Sequence, residues 1–445
     1  MLRVLANRTF RHLFLAQVIA LVGTGLATVA LGLLAYEVAG EDAGAVLGTA
    51  LAIKMIAYIS IAPIAGAFAD RVPRKAMLVT LDLVRAAVAI CLPFVTEVWQ
   101  IYSLIFVLQS ASAGFTPTFQ ATIPDIVPDE AEYTRALSLS RIAYDMESLV
   151  SPLLAAALLT LINSHLLFSG TAIGFLGSAA LIVTSCMPKA VPQATRDHCI
   201  YDRITRGIRI YLKTPRLRGS LAVTLAAAAA SAMVIVNTVV IVRGLGLRQH
   251  DVALALAAFG GGSMCAALAL PRILDRVADR PIMIGASAAL ATVVALLAAI
   301  TAVVPPGPRY WHMLLGCWLI LGVAYSMSVT PGGRLLRRSA ASEDRPALFA
   351  AQFALSHVCW LIAYPLVGQL GARAGMSVAF GGMAVLAAVG AISALLLWPA
   401  SDSSIVPHRH DDLPFGHPHL RDAHPDGKVE HPFVIDDLHP RWPAQ

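Results

Sequence analysis

The sequence predicts an all-α membrane protein: twelve transmembrane helices in two six-helix, pseudo-symmetric halves. Three observations lead there. The chain of 445 residues is 57% hydrophobic and 13% charged, with a mean hydropathy of +0.71; in a soluble domain about 25% of residues are charged. Apolar stretches of about 20 residues, enough to span a bilayer as a helix, recur from residue 11 to residue 398. Short motifs of the first half return in the second. In lipid every backbone polar group needs an internal partner, which helices provide. The short alternating segments of a membrane β-barrel are absent from the sequence.

The spans fall at 12–37, 43–69, 76–96, 99–122, 134–162 and 164–186, then 217–242, 251–271, 281–304, 311–331, 346–371 and 376–398. These bounds define an N-terminal half (1–187), a linker (188–216), a C-terminal half (217–398) and a tail (399–445). Span one is too long for a cleavable signal core, and no cleavage-site pattern precedes it. Lys and Arg fix the orientation. The N-terminus and the even-to-odd loops hold 22 of them and the opposite loops 4, so both termini are expected on the cytoplasmic side. The net charge of +6 follows from this topology and from anionic headgroups rather than from nucleic acid binding. Six scattered cysteines without a Cys-x-x-Cys pair argue against a disulfide framework or zinc knuckle. No phosphate-binding glycine loop is present, so an ATP-hydrolysing enzyme is not expected.

The linker contains YDRITRGIRIYL, whose Ile and Tyr spacing predicts a short amphipathic helix on the membrane surface; a plain solvated connector is the alternative. Internal repetition runs through the spans. Asp70-Arg71 after span two matches Asp275-Arg276 after span eight, Thr116-Pro117 matches Thr330-Pro331, and Pro152 matches Pro365. Three matches at nearly constant offset indicate duplication, which places a site between the halves near the midplane.

GAFADRVPRK (66–75) resembles the cytoplasmic loop motif of the major facilitator superfamily, Gly-x-x-x-Asp-Arg-x-Gly-Arg-Lys. It matches at Gly66, Asp70, Arg71, Arg74 and Lys75 and departs at Pro73. The resemblance implies the two-half facilitator fold over all twelve spans. Gly66 permits close helix approach, Asp70 can cap a neighbouring helix N-terminus, and the basic residues are expected to engage span three, at Asp82 and Arg85. Such a cluster would latch the cytoplasmic side shut. Ser151-Pro152 resembles only weakly the Gly-Pro motif of proton-coupled exporters in that superfamily.

A charge near the bilayer centre costs roughly 2.5–3.5 kcal/mol or more, so intramembrane ionisable residues are candidates for function. These are Lys54 on span two, Arg141, Asp145 and Glu147 on span five, and His357 on span eleven. Arg141 and Asp145 are four apart and can pair. Asp145 and Glu147 are two apart on nearly opposite faces, which leaves open which of them faces the cavity. Lys54 is expected to pair with the acid that faces span two. The bland alternative is that these charges only neutralise one another. Softer candidates are Met233 and Asn237 on span seven. Gln109, Ser112, Thr116 and Gln120 form a polar stripe on span four, as Gln17, Thr24 and Thr28 do on span one.

The tail carries His408, His410, His417, His419, His424, His431 and His439, interleaved with prolines and acids. That composition predicts a disordered segment that chelates weakly. Imidazole suits nickel, cobalt, copper and zinc. Together with RTFRHLFLAQVIALVGTGLATVALGLLAYEVAG and LSLSRIAYDMESLVSPLLAAALL, the tail makes the chain similar to the bacterial nickel-resistance exporters of the facilitator superfamily. This resemblance implies a monomer in a bacterial cytoplasmic membrane, needing no cofactor and exporting nickel in exchange for protons, with cobalt and iron as further cargo. Two alternatives stand beside it: export of an organic compound such as a drug or siderophore, and a membrane metal sensor or scaffold that moves nothing.

Overall fold

Six long helices build the first half: α1 (Arg8–Ala39), α2 (Ala43–Phe68), α3 (Arg74–Cys91), α4 (Val98–Ile126), α5 (Glu130–Leu158) and α6 (Ser164–Thr184). A connecting helix α7 (Ile200–Lys213) leads to α8 (Pro215–Gly244), α9 (Gln249–Leu274), α10 (Asp279–Val303), α11 (Pro308–Val329), the short α12 (Gly332–Arg338), α13 (Arg345–Ala374) and α14 (Met376–Leu397). This computed structural model describes residues 2–39, 43–68, 72–187, 200–401, 405–408, 429–439 and 441–443. Eleven stretches of the described residues are long and apolar enough to cross a membrane, α11 and α12 together making one of them. The twelfth bundle helix is α5. Its 29 residues are enough to span, but Arg141, Asp145 and Glu147 lower its hydropathy.

The two halves repeat each other's packing. α1 lies on α6 as α8 lies on α14; α2 lies on α4 as α9 lies on α11; α3 lies on α6 as α10 lies on α14. Lipid tails are as apolar as leucine, so helix pairing depends on close contact, and small residues allow it. Gly262 and Gly322 show this between α9 and α11: a Cβ on either would collide with a backbone carbonyl of the other helix, at Leu319 and Phe259 respectively. Large apolar side chains such as Leu51, Ile173, Val303 and Leu396 point outward, as a lipid-facing surface requires.

The halves meet along two seams, α2 against α13 and α5 against α9, which are related by the same pseudo-symmetry. The end of the bundle that carries the α2–α3 loop, α12 and the tail is called the basic end below. The repeat is not strict there. Pro117 lies inside α4, whereas Pro331 caps α12 after α11 has ended at Val329.

Two expectations need correction. α7 forms, but its apolar face packs on protein rather than on the membrane surface. Tyr211 is buried with its hydroxyl on Gln352 of α13, and a Cβ at Gly207 would collide with the carbonyl of Ala347. The tail was expected to lack a packed core. Instead β1 (Ile405–His408) and β2 (Val429–Pro432) pair antiparallel, with Val406 opposite His431. Val406, Phe433 and Ile435 join a buried cluster with Ile210 and Tyr211 of α7, Leu217 of α8 and Trp398. The tail lacks apolar residues for a core of its own, and the C-terminal half supplies the missing surface.

Candidate functional site

Arg141 and Lys54, two of the charged residues of the membrane interior, lie on the seams between the halves. Arg141 lies about 16 Å along α5 from its start, at 1.5 Å per residue. Its guanidinium pairs with Asp145 one turn on. It also donates to Ser263 of α9 at 3.2 Å and covers the Tyr325 ring of α11 at 4.7 Å. One arginine thus ties an N-half acid to two C-half helices. Asp145, only 4% exposed, is held in this pair.

Glu147 points elsewhere, as the helical spacing requires. It lies against α1, where Ser151 and the Glu147 carboxylate approach Gly25. Lys54 of α2 lies within electrostatic reach of both Glu147 and His357. Its ammonium stands 5.5 Å from the Tyr58 ring centre, and Tyr58 meets the His357 ring edge-on at 4.7 Å. His357 Nδ1 is 2.7 Å from the Phe353 carbonyl, so that nitrogen donates and Nε2 is left as the acceptor of the neutral ring. An acid of one half and an imidazole of the other are therefore both within electrostatic reach of one lysine on the seam. Gln17 accepts from Ser140 at 3.0 Å, joining α1 to this region. On α4, Gln109, Ser112, Thr116 and Gln120 are each half-buried, the last three between buried neighbours, and form one partly open polar stripe.

Met233 and Asn237 do not belong to this site. Met233 is fully buried in the C-half apolar cluster, and its sulfur takes a 3.3 Å contact from the Asn237 amide. The pair satisfies itself inside one half, so its expected role as a cargo ligand is corrected to packing.

The basic end is closed by charge. Gly66 abuts α13: a Cβ there would stand 2.7 Å from Ala350 Cβ. Arg74 pairs with Asp125 at the end of α4, and Asp125 also accepts from Arg345 of α13 at 2.6 Å. Lys75 donates to the Ser185 carbonyl at 3.0 Å. Asp70 and Arg71 lie outside the described residues. The expected partnership with span three is corrected. Asp82 pairs with Arg85 of its own helix and accepts from Ser178 at 2.7 Å, while Arg85 sits between the rings of Phe115 and Phe175 at 4.0 and 4.5 Å. Asp82 is eight residues beyond Arg74, about 12 Å deeper along α3, out of its reach.

Sequence reasoning missed Asp125 and the grip of α12. Arg334 pairs with Glu130 at 2.7 Å and with Asp279 at 3.3 Å. Arg337 donates to the Pro128 carbonyl, and Tyr133 donates to the Gly333 carbonyl at 3.2 Å. The available signal is GGRLLRR, two glycines for close approach followed by three arginines. Nothing local pointed to Asp125, whose partner Arg345 is 220 residues away.

In the tail, His408, His431 and His439 converge, with ring-nitrogen atoms within 4.8 Å of one another. Burial pushes the His439 imidazole below its ordinary value, against the Asp436 carboxylate that raises it. His410, His417, His419 and His424 lie outside the described residues.

Two matched six-helix halves, a charge-closed end and ionisable groups on the seam define a multi-pass membrane transporter fold. The chain belongs to the major facilitator superfamily: residues 2–330 match the family described as transmembrane secretion effector. Members of this superfamily are transporters and not enzymes. Among curated relatives, the uncharacterised MFS-type transporter YfiS of Bacillus subtilis is 30% identical over 124 residues, 28% of this chain and 30% of that protein. Macrolide efflux protein A of Streptococcus pyogenes is 24% identical over 185 residues, 40% of this chain and 45% of that one. The chain spans less than half the length of these relatives. Among solved structures, the human organic anion transporter MFSD10 superposes with a TM-score of 0.72 at 11% identity, covering 87% of this chain and 99% of that one. A bacterial homologue of the iron transporter ferroportin, in an outward-facing state, gives 0.70 at 14% identity over 87% and 97%. The Escherichia coli fucose:proton symporter FucP gives 0.67 at 13% over 88% and 98%. At these identities the structural likeness establishes the fold.

Proposed function

We propose that the protein is a secondary active exporter of a divalent transition metal, nickel foremost, with cobalt and iron as further cargo. Export is by alternating access in exchange for protons. In this reading it works as a monomer in a bacterial cytoplasmic membrane, with both termini and the basic end in the cytoplasm. The observation that carries the reading is the mid-depth seam, where Lys54 lies over the Tyr58 ring, Tyr58 meets His357 of the other half, and Glu147 and His357 are both within electrostatic reach of Lys54. A carboxylate and a neutral imidazole are donors for a borderline transition metal. An ammonium within electrostatic reach of both supplies the positive charge when no cargo is present, so the acid need not stay uncompensated in hydrocarbon. Metal entering the seam displaces the lysine, and metal leaving lets a proton or the lysine return.

Arg141, held by Asp145 on its own helix, bridges the halves beside this route through Ser263 and Tyr325, and those two contacts part when the halves separate. With the basic end latched through Asp125, Arg345 and α12, the conformer is the one expected to open toward the opposite face.

A second reading, export of an organic compound, has two supports: the likeness to macrolide efflux proteins and the rings of Tyr58, Phe353 and Trp360 around His357. Cell assays separate the two. Cells carrying the protein are expected to accumulate less nickel, with unchanged macrolide accumulation. Lower macrolide with unchanged nickel would establish the organic cargo instead. No flux of either would favour a sensor.

A further inference from the structure

The hairpin of the tail brings three of its histidines to one point from distant positions in sequence. His408 ends β1, His431 lies in β2, and His439 follows β2 by a turn in which the backbone amides of Leu438 and His439 donate to Asp436 Oδ1 at 2.9 and 2.7 Å. The rings pack as a triad, with centroids 4.8 to 5.0 Å apart.

The hydrogen bonds at the outer nitrogens fix the tautomers. His408 Nδ1 is 2.8 Å from the Val406 carbonyl, which only accepts, so that nitrogen carries the hydrogen. His439 Nδ1 is 2.8 Å from the Asp436 carboxylate, the orienting partner that metal-ligating imidazoles usually have. In the neutral rings each Nε2 then presents a lone pair, and the two Nε2 atoms face each other at 3.1 Å. Two lone pairs at that separation repel unless a cation sits between them. The distance is also that between neighbouring ligands on one metal with bonds of about 2.0–2.1 Å.

The triad sits where it can act on the gate. Two arginines each hold the tail and the segment between α12 and α13 together. Arg216, 2% exposed, donates to the Phe433 carbonyl at 3.5 Å, to the Arg338 carbonyl at 3.2 Å and to Ser339 Oγ at 2.8 Å. Arg206 grips Asp344 with two donors, at 2.5 and 2.9 Å, and Asp437 with a third at 2.8 Å. Asp437 is next to Asp436, the partner of His439.

We infer that His408, His431 and His439 form a tri-imidazole site for one divalent transition-metal ion, and that its occupancy fastens the tail to the segment closing the basic end. This rests on metal being the cargo only for its biological purpose; the site itself stands on its own geometry.

The test uses the full-length protein in detergent or nanodiscs, titrated with cobalt(II). The cobalt absorption spectrum reports coordination directly and needs no transport. One tight equivalent is expected. The combined variant His408→Ala/His439→Ala should weaken it by about 100-fold or more, Asp436→Asn by about 10–100-fold, the usual range for an orienting partner. The control His417→Ala/His419→Ala should leave it unchanged. Cobalt should also protect residues 405–443 from added protease, in the wild type and the control but not in the combined variant. Equal tight binding by the combined variant, or loss caused by the control, would overturn the site. Binding without protection would overturn the coupling. Failure of nickel export in vesicles, with the titration as expected, would reject the cargo reading and leave this site standing.

Discussion

Asp82 and Arg85 show at the scale of one residue what a buried charge requires. Their i,i+3 spacing was legible in the sequence, but their partners Ser178, Phe115 and Phe175 come from elements that only packing brings near. Removing one member of a buried pair leaves the other charge uncompensated and costs about 3–5 kcal/mol, whereas replacing both with apolar side chains is often near neutral. Asp82→Leu is therefore expected to lower the thermal unfolding midpoint in detergent sharply, and Asp82→Leu/Arg85→Met to recover most of it. A double variant as unstable as the single one would mean that the pair has a role beyond neutralisation. Asp125 is the opposite case. Nothing beside it in sequence marks it, yet it joins Arg74 of one half to Arg345 of the other. Hydrogen bonds to charged groups contribute about 1.5–3 kcal/mol each. Asp125→Asn should open the basic end more often, read as faster modification of a cysteine introduced at Ala350. Unchanged labelling would remove Asp125 from the latch.

At the scale of the element, the helices of the bundle were legible because length and hydropathy decide them in lipid. Their faces were not: an all-round apolar helix has no stripe to read. The α7 helix was recognisable from its period, but only the structure shows that its apolar face covers α13. The tail misled for a related reason. Its composition is that of a segment without a core, and Val406, Phe433 and Ile435 find theirs on α7 and α8. Gly66 lies where α2 and α13 touch. Gly66→Leu is expected to keep the protein folded and membrane-inserted while preventing the basic end from closing, so transport falls and labelling at the basic end rises. Normal transport by Gly66→Leu would show that this approach is not part of the cycle. Deleting residues 402–445 should weaken metal resistance in cells without abolishing it. Complete loss of vesicle transport on that deletion would contradict an auxiliary tail.

At the scale of the whole molecule, the repeat of helix pairs in the two halves turns a duplicated sequence into a pair of seams. The three motif matches pointed to this arrangement and to a midplane site. They did not reveal that the acids of α5 would divide their work. Asp145 pairs with Arg141, which reaches the opposite half; Glu147 lies against α1, within electrostatic reach of Lys54. The two-residue spacing forbade a shared cavity but left the assignment open, because the rotation of α5 is set by its neighbours. In the proposed cycle cargo sits between Glu147 and His357, and the contacts of Arg141 with Ser263 and Tyr325 are the ones that part when the halves rock.

The most direct measurement is uptake of radiolabelled nickel into inside-out vesicles with an acidic lumen, comparing the wild type with Glu147→Gln and His357→Asn. Gradient-driven uptake is expected in the wild type, falling by about tenfold or more in each variant, equivalent to roughly 1.4 kcal/mol or more in the transport barrier. Uptake undiminished in the double variant Glu147→Gln/His357→Asn would show that no cation gives up its water to these two side chains.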